Sequence, residues 1–104
     1  MGFKLNPYAE RDLEDIFNYG FQTWGENRAT LFLEMLYQKF QWLADNPKIA
    51  PIREDFTPAI YRSWFVEPYV ILYTIVGEKE IEIMAVLHGR KNFLIDELSK
   101  RDED

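Results

Sequence analysis

The chain has 104 residues, the size of one domain, and a hydrophobic share of 47%, which is typical of a globular core. It contains no cysteine, so disulfides and thiolate metal sites are excluded. The net charge is −6, and both residues 1–52 (5 basic, 7 acidic) and residues 53–104 (7 basic, 11 acidic) are acidic, which argues against direct nucleic-acid binding.

The first half of the chain has a helical pattern. Residues 3–5 alternate apolar and polar and predict a short strand, after which Asn6 and Pro7 suit the cap and the first position of a helix. Gly25 predicts a break, and Asn46 before Pro47 predicts the end of a second helix. Two faces at helical spacing predict a helical hairpin: Ala9, Leu13, Ile16, Phe17 and Gly20, then Ala29, Phe32, Leu33, Leu36, Phe40 and Leu43.

Four carboxylates stand near the start of the first helix: Glu10, Asp12, Glu14 and Asp15. We interpret them as a solvated face that complements the positive end of the helix dipole. The chain lacks the Asp-x-Asp-x-Asp-Gly pattern of a calcium loop, and a lone histidine without cysteine is a poor transition-metal site. We therefore expect no metal and no cofactor.

The second half has a strand pattern. Three prolines make residues 47–59 an irregular loop, and residues 60–66 and 69–76 are rich in β-branched and aromatic side chains. Residues 80–88 alternate strictly, which predicts a strand with one face formed by Ile81, Ile83, Ala85 and Leu87. Residues 93–98 predict a short terminal helix. The expected fold is α+β in two layers, with the helical hairpin on an antiparallel meander and a single domain over residues 1–104.

No apolar run approaches the ~20 residues of a membrane span. The first seven residues, Met1 to Pro7, lack the apolar stretch of a secretory signal. We therefore expect a soluble, cytoplasmic protein that does not bind membranes.

Six short motifs, in this order along residues 3–93, resemble those of the ParE/RelE toxin superfamily, and the resemblance is to its ParE side. They are Ala9-x-x-Asp12-Leu13-x-x-Ile16, Trp24-Gly25, Leu43-x-x-Asn46-Pro47, Ile60-Tyr61-Arg62-Ser63-Trp64, Tyr69-x-Ile71-x-Tyr73 and Val86-Leu87-His88-Gly89-Arg90. Lys91 stands where the family often has a second arginine, and lysine keeps the charge but loses bidentate geometry.

The resemblance implies the toxin of a type II toxin–antitoxin system of the plasmid-stabilisation kind, which inhibits DNA gyrase. It also implies a ParD-like antitoxin in a heterotetramer or larger complex. Two alternatives stay open. RelE-like members are ribosome-dependent mRNA endoribonucleases with the same fold, and the change at Lys91 is consistent with a member that binds its antitoxin without being toxic.

The residues favour a non-enzymatic toxin over a ribonuclease. An RNA-cutting site needs a base, an acid and cations that stabilise the phosphorane, and RelE-type ribonucleases cluster lysines and arginines on the sheet and often carry a late tyrosine. Here the last tyrosine is Tyr73, and the cations between residues 54 and 89 are Arg62 and Lys79. We therefore predict no catalytic residue and no enzyme activity.

Five residues are candidates for contact with the target or the antitoxin: Arg62, Trp64, His88, Arg90 and Lys91. The antiparallel order of the strands is compatible with Arg62 and the end of the third meander strand sharing one sheet surface. For Arg62 and Arg90 a basic patch competes equally with surface ion pairs to the glutamates at 67, 80 and 82.

The histidine and the aromatic residues each have two interpretations. His88 is either a functional acid–base or contact residue or a strand-end residue that holds the Gly89 turn, and the second is favoured. Trp64 is equally an anchor for a partner or a packed side chain. Core packing is the expectation for Phe17, Phe32 and Phe40.

Overall fold

The protein is described by a computed structural model that covers residues 2–55 and 60–89. Six elements follow one another along the chain: β1 (Gly2–Leu5), α1 (Pro7–Trp24), α2 (Glu26–Asp45), β2 (Arg62–Val66), β3 (Tyr69–Ile75) and β4 (Glu80–His88). Strand β2 therefore begins two residues later than predicted. The predicted helix at residues 93–98 lies outside the part of the chain that the structure describes. Neither described helix is long and apolar enough to cross a membrane.

The ends of both helices follow the predicted capping chemistry. The side-chain oxygen of Asn6 accepts a hydrogen bond from the Tyr8 N–H at 2.8 Å, and Pro7 occupies the first position of α1. Gly25 joins the helices with a φ of 94°, a backbone conformation that favours glycine. Asn46 ends α2, where its N–H donates to the Leu43 carbonyl. The predicted hairpin and its boundaries are confirmed.

The four strands form one mixed sheet in the order β1-β4-β3-β2. Strands β2, β3 and β4 are the predicted antiparallel meander, and β1 adds to the far side of β4 in a parallel register that pairs Leu5 with Ile83. Both helices pack on one face of the sheet. The two-layer α+β fold is therefore confirmed. The sequence predicted the strand β1 but not the strand with which it pairs.

Apolar side chains are buried on both faces of the sheet. Between the sheet and the helices, the core contains α1, α2 and strand residues, among them Leu36, Phe40, Ile71, Tyr73 and Ile81, all at 0% exposure. A second buried cluster occupies the opposite face and consists of Tyr61, Val70, Leu72, Ala85 and Leu87. The outer face of the sheet is therefore buried at these positions, unlike in a simple two-layer fold in which the outer face is polar.

A β-bulge in β4 changes which side chains face the helices. The pairing of β3 with β4 shifts so that Met84 is the extra residue. Before the bulge Ile81 and Ile83 face the helices, and after it Val86 does, while Ala85 turns to the opposite cluster. One inserted residue inverts the parity of the strand beyond it. The structure therefore corrects the predicted common face of Ile81, Ile83, Ala85 and Leu87.

Candidate partner-binding site

Helix α1 carries one carboxylate that points inward. Asp12 is 8% exposed, and its Oδ2 accepts a hydrogen bond from the Val86 N–H at 3.0 Å. Strand β1 ends at Leu5, opposite Ile83, so within residues 2–55 and 60–89 β4 has no strand partner on that side further along. Asp12 supplies an acceptor to this open edge. The prediction that all four carboxylates form a solvated face is wrong for Asp12, because the sheet edge needs a hydrogen-bond partner.

Two other carboxylates of α1 point outward and line a groove between the helices. The groove has a volume of about 570 Å³ and is lined by Leu5, Glu10, Leu13, Glu14, Phe17, Asn18, Leu33 and Tyr37. Glu10 and Glu14 are exposed, and neither forms an ion pair within residues 2–55 and 60–89. We call this feature the α1–α2 groove.

The walls of the α1–α2 groove follow from helical spacing. Leu13 and Phe17 lie one turn apart on α1, and Leu33 and Tyr37 lie one turn apart on α2, so each pair forms a short apolar ridge. Tyr37 is 40% exposed, and Phe17 and Leu33 are half-buried. Phe17 therefore lies at the edge of the core instead of within it, whereas Phe40 is buried as predicted and Phe32 packs partly against the core.

Sequence reasoning did not select the groove residues as a site. The signal in the sequence was an apolar face that is wider than a helix needs to pack against one surface. Leu33 belonged to the predicted face of α2, and Tyr37, one turn further along, widens that face. Both side chains stay partly exposed.

Arg62 closes the loop that follows α2. Its guanidinium donates to the Ala50 carbonyl at 2.7 Å and, more weakly, to the Lys48 carbonyl at 3.4 Å. Beside it the buried Tyr73 hydroxyl donates to the Pro47 carbonyl at 2.8 Å. We call Arg62, Tyr73 and the loop residues that they contact the loop corner. Arg62 therefore contacts backbone carbonyls, and not the glutamates that the sequence suggested as ion-pair partners.

Trp64 packs at the edge of the loop corner. Its ring lies 5.0 Å from that of Trp42, and the Lys39 ammonium lies 4.4 Å from the Trp42 ring on α2. Trp64 is half-buried and belongs to the periphery of the main core. The structure thus places Trp64 in an internal aromatic contact, and its contact with a partner stays a prediction.

The end of β4 is held by its backbone. The Gly89 N–H donates to the Pro68 carbonyl at 2.9 Å, whereas the exposed His88 ring lies edge-on to Tyr69 at 6.2 Å. A Cβ at Gly89 would lie 2.7 Å from the exposed Phe65 ring and 3.3 Å from the Pro68 carbonyl, so a larger residue would require both to shift. The favoured interpretation, in which His88 holds the turn, is therefore corrected: the Gly89 backbone does so.

The candidate contact residues that the structure describes do not converge on one site. Arg62, the first residue of β2, pairs with Tyr73, whereas His88, the last residue of β4, pairs with Tyr69 at the start of β3, so the two candidates are four residues apart along β3. Arg90 and Lys91 lie outside the described residues. No group of three or more potential metal ligands occurs in the described ranges.

Burial changes the acidity of two tyrosines. It raises the pKa of the Tyr73 phenol above 10.0, although a backbone hydrogen bond from Ala50 and the charge of Arg62 act in the opposite direction. Burial likewise raises the pKa of Tyr69, with a smaller contribution from Tyr19. Both phenols are therefore neutral at physiological pH.

Comparison with known proteins identifies the family. A model of the ParE toxin of type II toxin–antitoxin systems, parDE, matches residues 3–93. The chain belongs to this family. The similar ParE toxins include Toxin ParE1 of Mycobacterium tuberculosis H37Rv, 30% identical over 88 residues that cover 85% of this chain and 89% of the relative. Toxin ParE1 of Caulobacter vibrioides is 31% identical over 90 residues, which cover 86% and 91%.

A solved structure from a ParDE system has the same fold. A chain described as the chromosomal ParDE TA system from P. aeruginosa superposes with a TM-score of 0.73 at 21% identity, covering 86% of this chain and 97% of that one. The predicted superfamily, the ParE side of it and the fold are confirmed. The chain is thus a ParE-family toxin of a type II toxin–antitoxin system.

Proposed function

We propose that this ParE-family toxin inhibits DNA gyrase by binding it, without catalysis, and that a ParD-like antitoxin neutralises it by docking in the α1–α2 groove. Gyrase is the target that the family resemblance implies. The observation that carries the antitoxin half of the proposal is the groove itself, because it offers apolar side chains that the described chain does not cover.

The groove has the character of a protein-binding surface. Two apolar ridges, one from each helix, leave Tyr37 and its neighbours partly exposed. A groove of this kind suits an amphipathic segment that orders as it binds. The similar solved chain comes from a ParDE system, which supports a ParD-like partner for this chain.

The described sheet supports binding in preference to RNA cleavage. In strands β2, β3 and β4 the cationic side chain is Arg62, and its guanidinium donates to carbonyls of the loop after α2. A cation engaged in this way is not available to stabilise a phosphorane. We therefore favour the non-enzymatic toxin over a RelE-like ribonuclease.

The gyrase half is tested with purified components. Full-length chain is added to gyrase and relaxed plasmid, with and without the antitoxin encoded by a neighbouring short reading frame. We expect the chain to block supercoiling and the antitoxin to restore it. Unchanged supercoiling at excess toxin, together with cleaved ribosome-bound messages after induction, would support the ribonuclease instead.

The antitoxin half is tested by co-purification of the chain with that neighbouring gene product. We expect a stable complex of two toxins and two antitoxins, with its mass measured by light scattering. Harmless over-expression with a retained complex would support the non-toxic, antitoxin-binding alternative. Failure to form any complex would contradict the proposed antitoxin.

A further inference from the structure

We propose that Glu10 and Glu14 determine which segment enters the α1–α2 groove by selecting an amphipathic helix with two basic residues one turn apart. The inference rests on the proposed antitoxin docking and adds the chemistry of the docked segment. It assigns a specificity role to two side chains that the motifs of the sequence do not include.

The spacing of the carboxylates carries the first step. Glu10 and Glu14 are one turn apart on α1, about 6 Å along its axis, and Asn18 continues the same line. Lysines or arginines at positions i and i+4 of a helix packed alongside repeat at the same distance. The groove from residue 10 to residue 18 spans roughly 12 Å, enough for about two turns of such a helix.

The state of the carboxylates carries the second step. Both are exposed, and neither has an ion-pair partner within the described ranges, unlike Asp12, which accepts a hydrogen bond from β4. Their charges lie beside the apolar floor formed by Leu13 and Phe17. A helix that covers this floor brings the carboxylates into a less hydrated interface, where an opposite charge is favoured and a like charge is costly.

The charge of the chain argues against a second copy as the occupant. The chain has a net charge of −6, so a homodimer through this groove would bring two acidic molecules together at an acidic rim. The side-chain walls come mostly from two helices, a surface into which the ridges of a third helix pack. A basic amphipathic helix of a different protein carries the opposite charge and has side-chain ridges that pack between the two helices.

The test uses the full chain and the neighbouring gene product that co-purifies with it. We compare the dissociation constants of wild type, of the double reversal Glu10→Lys with Glu14→Lys, and of the neutral pair Glu10→Gln with Glu14→Gln. The matched control is Glu78→Lys with Glu80→Lys, which changes the net charge equally at exposed positions outside the groove. Circular dichroism verifies that each variant is folded.

We expect the double reversal to weaken binding by about tenfold or more, the neutral pair to weaken it less, and the control pair to leave it within about twofold. Added salt should weaken wild-type binding more than that of the neutral pair. Replacing two basic residues one turn apart in the partner with glutamate should restore affinity for the double reversal.

The outcomes separate the two levels of the proposal. If the partner binds the wild type and the double reversal equally, the specificity inference is overturned while the antitoxin proposal stands. The same holds if the control pair weakens binding as much as the double reversal, because the effect is then one of net charge alone. If no variant, including the wild type, binds the gene product, both fall together.

Discussion

The loop corner and the α1–α2 groove differ in what their side chains already contact. At the loop corner, Arg62 and Tyr73 donate to backbone carbonyls of the loop after α2. In the groove, Glu10 and Glu14 have no ion-pair partner in the described ranges, and Tyr37 stays partly exposed. The motif at residues 60–64 includes the corner residue Arg62, whereas apolar surface that the described chain leaves uncovered lies in the groove. Arg62 therefore maintains the fold, while we propose that the partner contacts lie in the groove.

The largest effect on stability is expected at Asp12, the inward carboxylate of α1. Asp12→Ala removes the acceptor of the Val86 N–H, in a strand residue that is 2% exposed, and should lower the free energy of unfolding by about 3 kcal/mol. Asp12→Asn keeps an acceptor oxygen and should cost less. Urea unfolding followed by circular dichroism measures both variants. If Asp12→Ala unfolds at the same urea concentration as Glu14→Ala, the inward and outward carboxylates do not differ as described.

Arg62→Ala is the next largest change. It removes the charged donor to the Ala50 carbonyl and should lower the free energy of unfolding by about 2 kcal/mol. Because Arg62 lies outside the groove, affinity for the antitoxin should stay within about twofold once the protein is folded. Titration calorimetry provides that affinity, and Arg62→Lys is the control that keeps the charge. A large loss of affinity at unchanged stability would move the partner surface to the loop corner.

Tyr73→Phe should destabilise the chain by about 1 kcal/mol, because the Pro47 carbonyl loses its donor. The same phenol predicts a pH dependence. Its pKa is raised above 10.0 in the folded state, so its contribution to stability is constant below pH 10 and falls as pH rises through the higher folded value. Thermal unfolding between pH 8 and 11.5 should show a smaller alkaline loss for the variant. Identical alkaline profiles would contradict the assignment to Tyr73.

In the groove the expected effect is on affinity more than on stability. Tyr37→Ser removes a partly exposed ring that contacts the rings of Phe3 and Phe40, and should lower the free energy of unfolding by about 1 kcal/mol, yet weaken antitoxin binding by about tenfold or more. The exposed Tyr19 lies outside the groove lining, so Tyr19→Ser is the matched control. Equal loss of affinity in both variants would mean that the groove is not the specific surface.

Local signals in the sequence were sufficient to predict where both helices begin and end. Asn6, Gly25 and Asn46 act through their own backbone neighbourhood, so capping rules place the ends of both helices. The bulge at Met84 was not predictable from alternation, because β-branched and apolar residues occur on both sides of it. The sheet face on which each β4 side chain lies was therefore predictable only up to residue 83.

The candidate site was predictable to a smaller extent. The Asp12 side chain points inward because of where β1 ends relative to β4. That arrangement depends on contacts between residues far apart in the chain. The role of Arg62 likewise depends on how the loop after α2 folds back on β2. The motifs identified the family, but they did not indicate which of their side chains already have hydrogen-bond partners within the fold.

Hydrogen exchange of the full chain, measured with and without the antitoxin, tests the location of the partner surface most directly. Bound antitoxin should slow amide exchange in α1 around residues 10–18 and in α2 around residues 33–37, and leave residues 62–64 at their free rates. Protection at residues 62–64 without protection along α1 and α2 would contradict the assignment of the groove and return the partner surface to the loop corner.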